Sequence, residues 1–443
     1  MKVIHIAFEC APIFKTGGLG DVVGSLPIAL KLIGVDTAVM LPGYGWINRE
    51  VQLPGSTVPV YYAESPFFKT RNVTHDQAVQ APKYAHFALM ALAFLKSRDV
   101  RPDIIHCHDW HAGLIPFLLK RLPDPFFHQT KTLLTIHNSG YQGEFPVSYL
   151  NTPETKHLIG LFANLGKTIS YLRLGISSAD YISTVSENHA REIKTGISDF
   201  GLKKIVNSKA DRFWGILNGI DYTVWNPKID KNLALPFSSS QVTEAKKINK
   251  KALQVELGLR EAGHIPLFGM IARISQQKGI DLVLPLLEKV QDKQMQIVIL
   301  GTGDKEYEDL LKNYNTDVYK PWIKVTLGFD ETLAHKIYGA ADFFLIPSHY
   351  EPCGLTQMIA MRYGSLPIGS PVGGLKDSIR NEKDGFLLSE VTPSAFETAI
   401  DRAISIWENL PELANLRRNA MKTNFSWTRS ALKYLDLYHT MLA

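Results

Sequence analysis

Lys15-Thr16-Gly17-Gly18-Leu19-Gly20-Asp21 joins a cation to three glycines just ahead of a helix-like segment. Glycines let a backbone approach a ligand closely, free N–H groups at a helix start favour an anion, and Lys15 adds a full positive charge. Taken alone, the same string also fits a tight strand-to-helix turn carrying a surface lysine. Arg273 and Lys278, five residues apart in Ala272-Arg273-Ile274-Ser275-Gln276-Gln277-Lys278-Gly279, suit a polyanion: Arg grips oxygens bidentately and Lys acts as a point charge. A solvated loop is the plainer reading. Gly301-Thr302-Gly303-Asp304 is a truncated glycine turn, too short for a dinucleotide fingerprint. In Pro347-Ser348-His349-Tyr350-Glu351-Pro352-Cys353-Gly354-Leu355-Thr356-Gln357, a carboxylate and a proline-stiffened turn precede a helix start. That arrangement would set Glu351 over a ligand whose negative end meets the N–H groups, although Glu351 alone would also serve as a helix charge partner. Val372-Gly373-Gly374-Leu375 opens a further helix with a second glycine pair.

His106-Cys107-His108-Asp109-Trp110-His111 invites a metal reading, but strand alternation turns Cys107 to the opposite face and leaves no clear tetrahedral set. A buried histidine cluster holding Asp109 by hydrogen bonds fits better. The next apolar run ends in His137-Asn138-Ser139-Gly140-Tyr141, and two neighbouring strands that both end in histidine would line a polar crevice. In doubly wound sheets ligands sit outside the carboxyl ends of the strands, which is where all these strings fall.

The elements that would position them alternate. Short β-branched runs at 3–8, 37–41, 104–106, 132–136 and 181–185 are separated by helix-like segments, and the pattern restarts after Pro236-Phe237-Ser238-Ser239-Ser240 at 267–271, 296–300, 323–327, 343–346 and 366–369. This predicts an α/β chain of two doubly wound, Rossmann-like domains, 1–213 and 214–426, followed by a helix over 427–443. The 443 residues suit two to three domains, and 45% apolar with 21% charged residues is ordinary for a globular chain. The net charge of +5 lies wholly before residue 214, too weak and dispersed for a nucleic-acid footprint. The longest apolar run, 87–95, is about half of what a membrane span needs, and Glu9 interrupts any signal-like start. Three cysteines without metal-type spacing support neither disulfides nor zinc, so a cytoplasmic protein is expected.

Together the motifs resemble the glycogen and starch synthase family of the bacterial and plant type. KTGGLGD at 15–21, HCHDW at 106–110, NGID at 218–221, RxxxxKG at 273–279 and EPCGLTQ at 351–357 stand in the family's order over nearly the whole length. The resemblance implies a GT-B architecture with a cleft between two domains and a terminal helix returning to the first, and it needs neither cofactor nor metal. It implies a retaining transfer of glucose from ADP-glucose, or less expectedly UDP-glucose, to the 4-hydroxyl of an α-1,4-glucan. By resemblance Arg273 and Lys278 neutralise the departing diphosphate, Glu351 holds the donor glucose, His137 meets that glucose near its reacting face, and Asp109 completes the catalytic group. Lys15, Gly17, Gly18, Asn218, Gly301, Cys353, Gly354, Leu355 and Thr356 fall at donor-binding positions, and Phe329 takes the place of a base-stacking aromatic.

Two other readings keep the fold: a glucosyltransferase with a small acceptor, which KTGGLGD argues against, and a catalytically silent glucan-binding protein. Retention of Lys15, His137, Arg273, Lys278 and Glu351 together argues against the second.

Overall fold

A computed structural model describes residues 1–47, 49–69 and 76–443. The chain divides into two compact units, Met1–Gly219 with Trp427–Ala443, and Ile220–Ser426. In the first unit lie β1 (Lys2–Ile6), β2 (Asp36–Pro42), β3 (Val60–Ala63), β4 (Ile104–His108), β5 (Lys131–Ile136), β8 (Tyr181–Thr184) and β9 (Phe213–Gly215), with a separate antiparallel pair, β6 (Glu144–Pro146) and β7 (Thr168–Ser170). Seven strands form one parallel sheet in the order β3-β2-β1-β4-β5-β8-β9. The second unit holds β10 (Leu267–Ile271), β11 (Gln296–Gly301), β12 (Ile323–Leu327), β13 (Phe343–Ile346), β14 (Leu366–Gly369) and β15 (Phe386–Leu387), parallel in the order β12-β11-β10-β13-β14-β15. The reading of two doubly wound sheets therefore holds. The first unit extends past residue 213 to Gly219, because Phe213–Gly215 pairs with β8 as its last strand.

Parallel strands buried on both faces read as continuous apolar runs, and the helices covering them supply both halves of the core. On one face of the first sheet, Ile105, Cys107, Leu134 and Ile182 pack with the helices Gln77–Ser97, Leu114–Arg121 and Tyr171–Ser178. On the other, Val3, Ile104 and Leu133 meet Val22, Leu26 and Leu30 of the helix Gly18–Leu32 and Ala431, Tyr434 and Tyr438 of the helix Trp427–Leu442. Among the described residues no helix is long and apolar enough to cross a membrane.

The second unit is cross-braced by buried charge. Asp342, just ahead of β13, accepts from Lys250 at 2.9 Å, from Arg417 at 2.5 Å and from the backbone N–H of Leu267 at 2.9 Å, with both cations nearly out of water. Burial alone would raise its pKa, but Lys250 and Arg417 hold the carboxyl below its usual value. One carboxylate thus joins the helices Val242–Leu257 and Leu410–Lys422 to two central strands. Removing one partner of such a group strands the others, so Asp342→Ala should lower unfolding free energy by about 3–5 kcal/mol. Lys336→Ala, which breaks a surface pair with Glu256, should cost less than about 1 kcal/mol in the same denaturant titration.

Candidate active site

The end of β1 runs into Glu9, whose buried carboxylate folds back over the glycine loop. Glu9 Oε2 accepts from the Thr16 N–H, from the Thr16 hydroxyl at 2.5 Å and from the Gly17 N–H at 3.2 Å, while Oε1 accepts from the Gly20 N–H at 3.0 Å. This corrects the expectation of an anion site left open at the helix start: an internal carboxylate already neutralises several of those donors. Burial raises the Glu9 pKa against these hydrogen bonds, as a displaced water shell requires. An added Cβ at Gly18 would meet nothing within 4 Å, and one at Gly17 would touch only Glu9 Oε1, at 3.8 Å. Lys15 pairs with Asp21 at 2.7 Å and remains partly exposed.

β4 extends two residues further than the sequence pattern indicated, so His106 and His108 both lie within it, facing away from Cys107. Their nitrogens are engaged by hydrogen bonds. His106 bonds Tyr438 at 2.8 Å and Thr135 at 2.6 Å, and His108 bonds His5 at 3.1 Å and His137 at 3.0 Å. His5, His106 and His108 bring ring nitrogens within 4.8 Å of one another, with His108 stacked on both of the other rings.

Asp109 follows at the strand exit with φ +56° and ψ −173°, a conformation that costs a non-glycine residue of order 1–3 kcal/mol and is met chiefly at functional sites. The histidine cluster does not hold it. Its Oδ1 accepts instead from the backbone N–H groups of His137 at 2.7 Å and Asn138 at 3.4 Å, tying the exits of β4 and β5 together. Burial pushes its carboxyl up to about 7, against the pull of those two donors.

In the second unit, β10 and β13 are neighbours, so the loops leaving them meet. Lys278 pairs with Glu351 at 2.5 Å, and Ser348 donates to the same carboxylate oxygen at 3.1 Å. Arg273 donates to Gln277 Oε1 at 2.8 Å, and Gln277 Nε2 donates in turn to the Tyr350 carbonyl at 3.2 Å. The glycines explain the close approach. A Cβ on Gly279, at φ +77°, would stand 2.0 Å from the Pro347 carbonyl, and one on Gly373 would stand 1.9 Å from that of Glu351. Gly374, likewise, lies under the Cys353 carbonyl. Gly301 has a packing reason of the same kind, since its Cβ would strike the Ala272 carbonyl.

Gln357 donates to the carbonyls of Cys353 and Gly354 and to Ser378, fixing the turn that delivers Leu355 and Thr356 to the helix Thr356–Arg362. Phe329 is 87% exposed in the loop leaving β12, between Gly328 and Asp330, which caps the following helix. Asn218, one residue before the end of the segment Met1–Gly219, is buried, with Oδ1 unpartnered. The structure thus joins Asp109 with His137 in one unit and Arg273, Lys278 and Glu351 in the other. Sequence reasoning missed Glu9, His5, Ser348 and Gln277; only the last two sit inside strings already singled out.

Residues 2–208 match the model of the starch synthase catalytic domain family, and residues 259–423 match that of glycosyl transferases group 1. Glycogen synthase of Geotalea daltonii is 38% identical over 100% of this chain and 99% of its own length, and that of Alkaliphilus metalliredigens is 37% identical over 100% of both. Among solved structures, the catalytic domain of starch synthase IV from Arabidopsis thaliana, bound to ADP and acarbose, is similar with a TM-score of 0.90 at 31% identity over 99% of each chain.

The carboxyl of Asp109 has a testable signature. Between its ordinary value of 3.8 and about 7, the folded protein binds a proton that the unfolded chain has released, so this group's contribution to stability falls as pH rises through that window. Asp109→Asn, neutral throughout, should therefore gain stability over the wild type between pH 5 and pH 8, by about 1–3 kcal/mol. Thermal unfolding at the two pH values measures it, and a constant difference would refute the assignment.

Proposed function

The chain belongs to the glycogen and starch synthase family, and from that premise we propose how its residues carry the reaction. It has the GT-B fold and elongates α-1,4-glucan by transfer of glucose from a nucleotide-diphosphoglucose. ADP-glucose is the proposed donor, supported by the ADP in the similar starch synthase IV structure; UDP-glucose is the alternative. A cytoplasmic location belongs to the same proposal, in keeping with three buried, free cysteines.

The observation that carries the residue roles is the pairing of Lys278 with Glu351 beside Arg273, at the carboxyl ends of adjacent parallel strands. Arg273 and Lys278 take up the negative charge that develops on the diphosphate as the anomeric C–O bond breaks, the electrostatic contribution that usually dominates such chemistry. Glu351 accepts hydrogen bonds from hydroxyls of the donor glucose. Its carboxylate is held in place by Lys278 and Ser348, so it arrives oriented. Lys15 contacts donor phosphate, Phe329 offers a face for the base, and the backbone at Gly17, Gly18, Asn218, Gly301 and 353–356 makes room for the donor. His137, with Asp109 fixing its backbone, meets the sugar.

Retention without a protein nucleophile follows from a front-face displacement. The acceptor 4-hydroxyl forms the new bond to the anomeric carbon on the face that the diphosphate leaves, and its proton passes to the departing phosphate oxygen. No covalent glucosyl-enzyme forms on this route, which uses a donor phosphate oxygen where a retaining glycosidase uses a pair of carboxylates.

The deciding experiment follows nucleoside-diphosphate release from ADP-glucose and UDP-glucose, with and without glycogen. Glycogen-dependent release from ADP-glucose is expected, with Glu351→Ala and Arg273→Ala each lowering kcat by a factor on the order of 100 or more. Mass spectrometry of the Glu351→Ala protein with donor should find no glucosyl adduct. Release from UDP-glucose alone would reassign the donor, and a folded wild type silent with glycogen would point to a small acceptor.

A further inference from the structure

His137 lies at one end of a line of three imidazoles. Its Nε2 faces Nδ1 of His108 at 3.0 Å, and Nε2 of His108 faces Nδ1 of His5 at 3.1 Å. The line is built by sheet order: His5 sits on β1, His108 on β4, and His137 just past β5, three adjacent strands. His106 stands beside it but outside it, with both nitrogens bonded to hydroxyls. Burial keeps the rings neutral, lowering His5 and His137 to about 3 and His108 well below its usual value.

A neutral imidazole has one nitrogen that donates and one that accepts. A hydrogen-bonded row of them therefore has two self-consistent arrangements: every proton points toward His137, or every proton points toward His5. The far end decides between them. His5 Nε2 is buried without a hydrogen-bond partner. With protons pointing toward His5, this atom would be an N–H donor stranded in the core; with protons pointing toward His137, it is an unused lone pair. Buried orphan donors are the rarer and costlier case.

We infer that His5 and His108 are positioning residues that hold His137 in its Nδ1–H tautomer, so that His137 meets the donor sugar as a neutral hydrogen-bond donor through Nδ1. In this state Nε2 already accepts from His108 and Nδ1 already carries its proton, so the ring has no lone pair with which to act as a base. His137 is partly exposed whereas His5 and His108 are fully buried, and with Nε2 occupied by His108 the nitrogen left to meet a ligand is Nδ1. The inference rests on the proposed contact of His137 with the donor, but the tautomer can be read without turnover.

The full-length protein labelled with 15N-histidine, examined by multiple-bond 1H–15N correlation at neutral pH, should show His137 with a protonated Nδ1 and a bare Nε2. The His137→Gln spectrum identifies the signals. A protonated Nε2, or an imidazolium, would overturn the inference. His108→Asn and His108→Leu provide the kinetic arm, because the Asn amide stands near the position of imidazole Nδ1 and still donates to His137. Leu should lower kcat about ten-fold with the donor KM nearly unchanged, the size set by loss of one bias between buried tautomers, and Asn should recover most of it. Equal losses in both variants would reduce His108 to a packing role. An inactive wild type that retains the Nδ1–H signature would count against the functional reading alone.

Discussion

The Asp109 carboxylate has left water and is bonded to the peptide N–H groups at the exit of the neighbouring strand. A buried charge needs donors, and here the donors belong to the backbone of His137 and Asn138. The strained backbone of Asp109, the path of the loop after β5 and the position of the His137 ring are consequences of that one requirement. Its raised pKa marks the incompleteness of the compensation: two amide donors do not replace a hydration shell. Stability is given up locally so that an imidazole stands at a fixed place, and the apolar packing on both faces of the sheet absorbs the loss.

The second unit meets the same requirement differently. Glu351 is as buried as Asp109, yet it has a cation, Lys278, and a hydroxyl, Ser348, within reach. The Lys278–Glu351 pair is thereby held oriented without ligand. On the proposed roles, an arriving diphosphate would compete with Glu351 for Lys278, and a sugar hydroxyl would compete with Lys278 for Glu351. Binding both ends of one donor would then exchange one internal ion pair for two external contacts. Glu9 holds the glycine loop of the first unit on the same principle, as a resident anion among N–H groups.

Much of this was legible in the sequence. The nine central strands announce themselves because burial on both faces demands unbroken apolar runs, and the edge strand β12 is long enough to be read with them. Those overlooked, such as β3, β9 and β15, are two to four residues long and pair on one side only, so they carry little pattern. Arg273, Lys278 and Glu351 could be picked out by residue type, but the contact of Lys278 with Glu351 spans 73 positions and exists only because β10 lies beside β13. Glu9 left no trace in the KTGGLGD string because the carboxylate comes from the preceding strand end. His5 is the clearest case. Nothing around it suggests chemistry, and it joins His108, 103 residues away, through parallel pairing of β1 with β4.

The hydroxyl of Tyr438 on His106 and the packing of Trp427–Leu442 against Gly18–Leu32 have a temporal consequence. During synthesis the first unit emerges from the ribosome long before this helix does, and the whole second unit is made in between. Until residues 427–442 appear, Val22, Leu26, Leu30 and Ile104 lack part of their apolar cover and His106 lacks one of its two partners. The inserted unit, whose segments are contiguous, is free to fold first, while the unit begun earliest finishes last. A nascent chain paused before residue 427 thus presents an uncovered apolar face on β1 and β4, the kind of surface that chaperones bind.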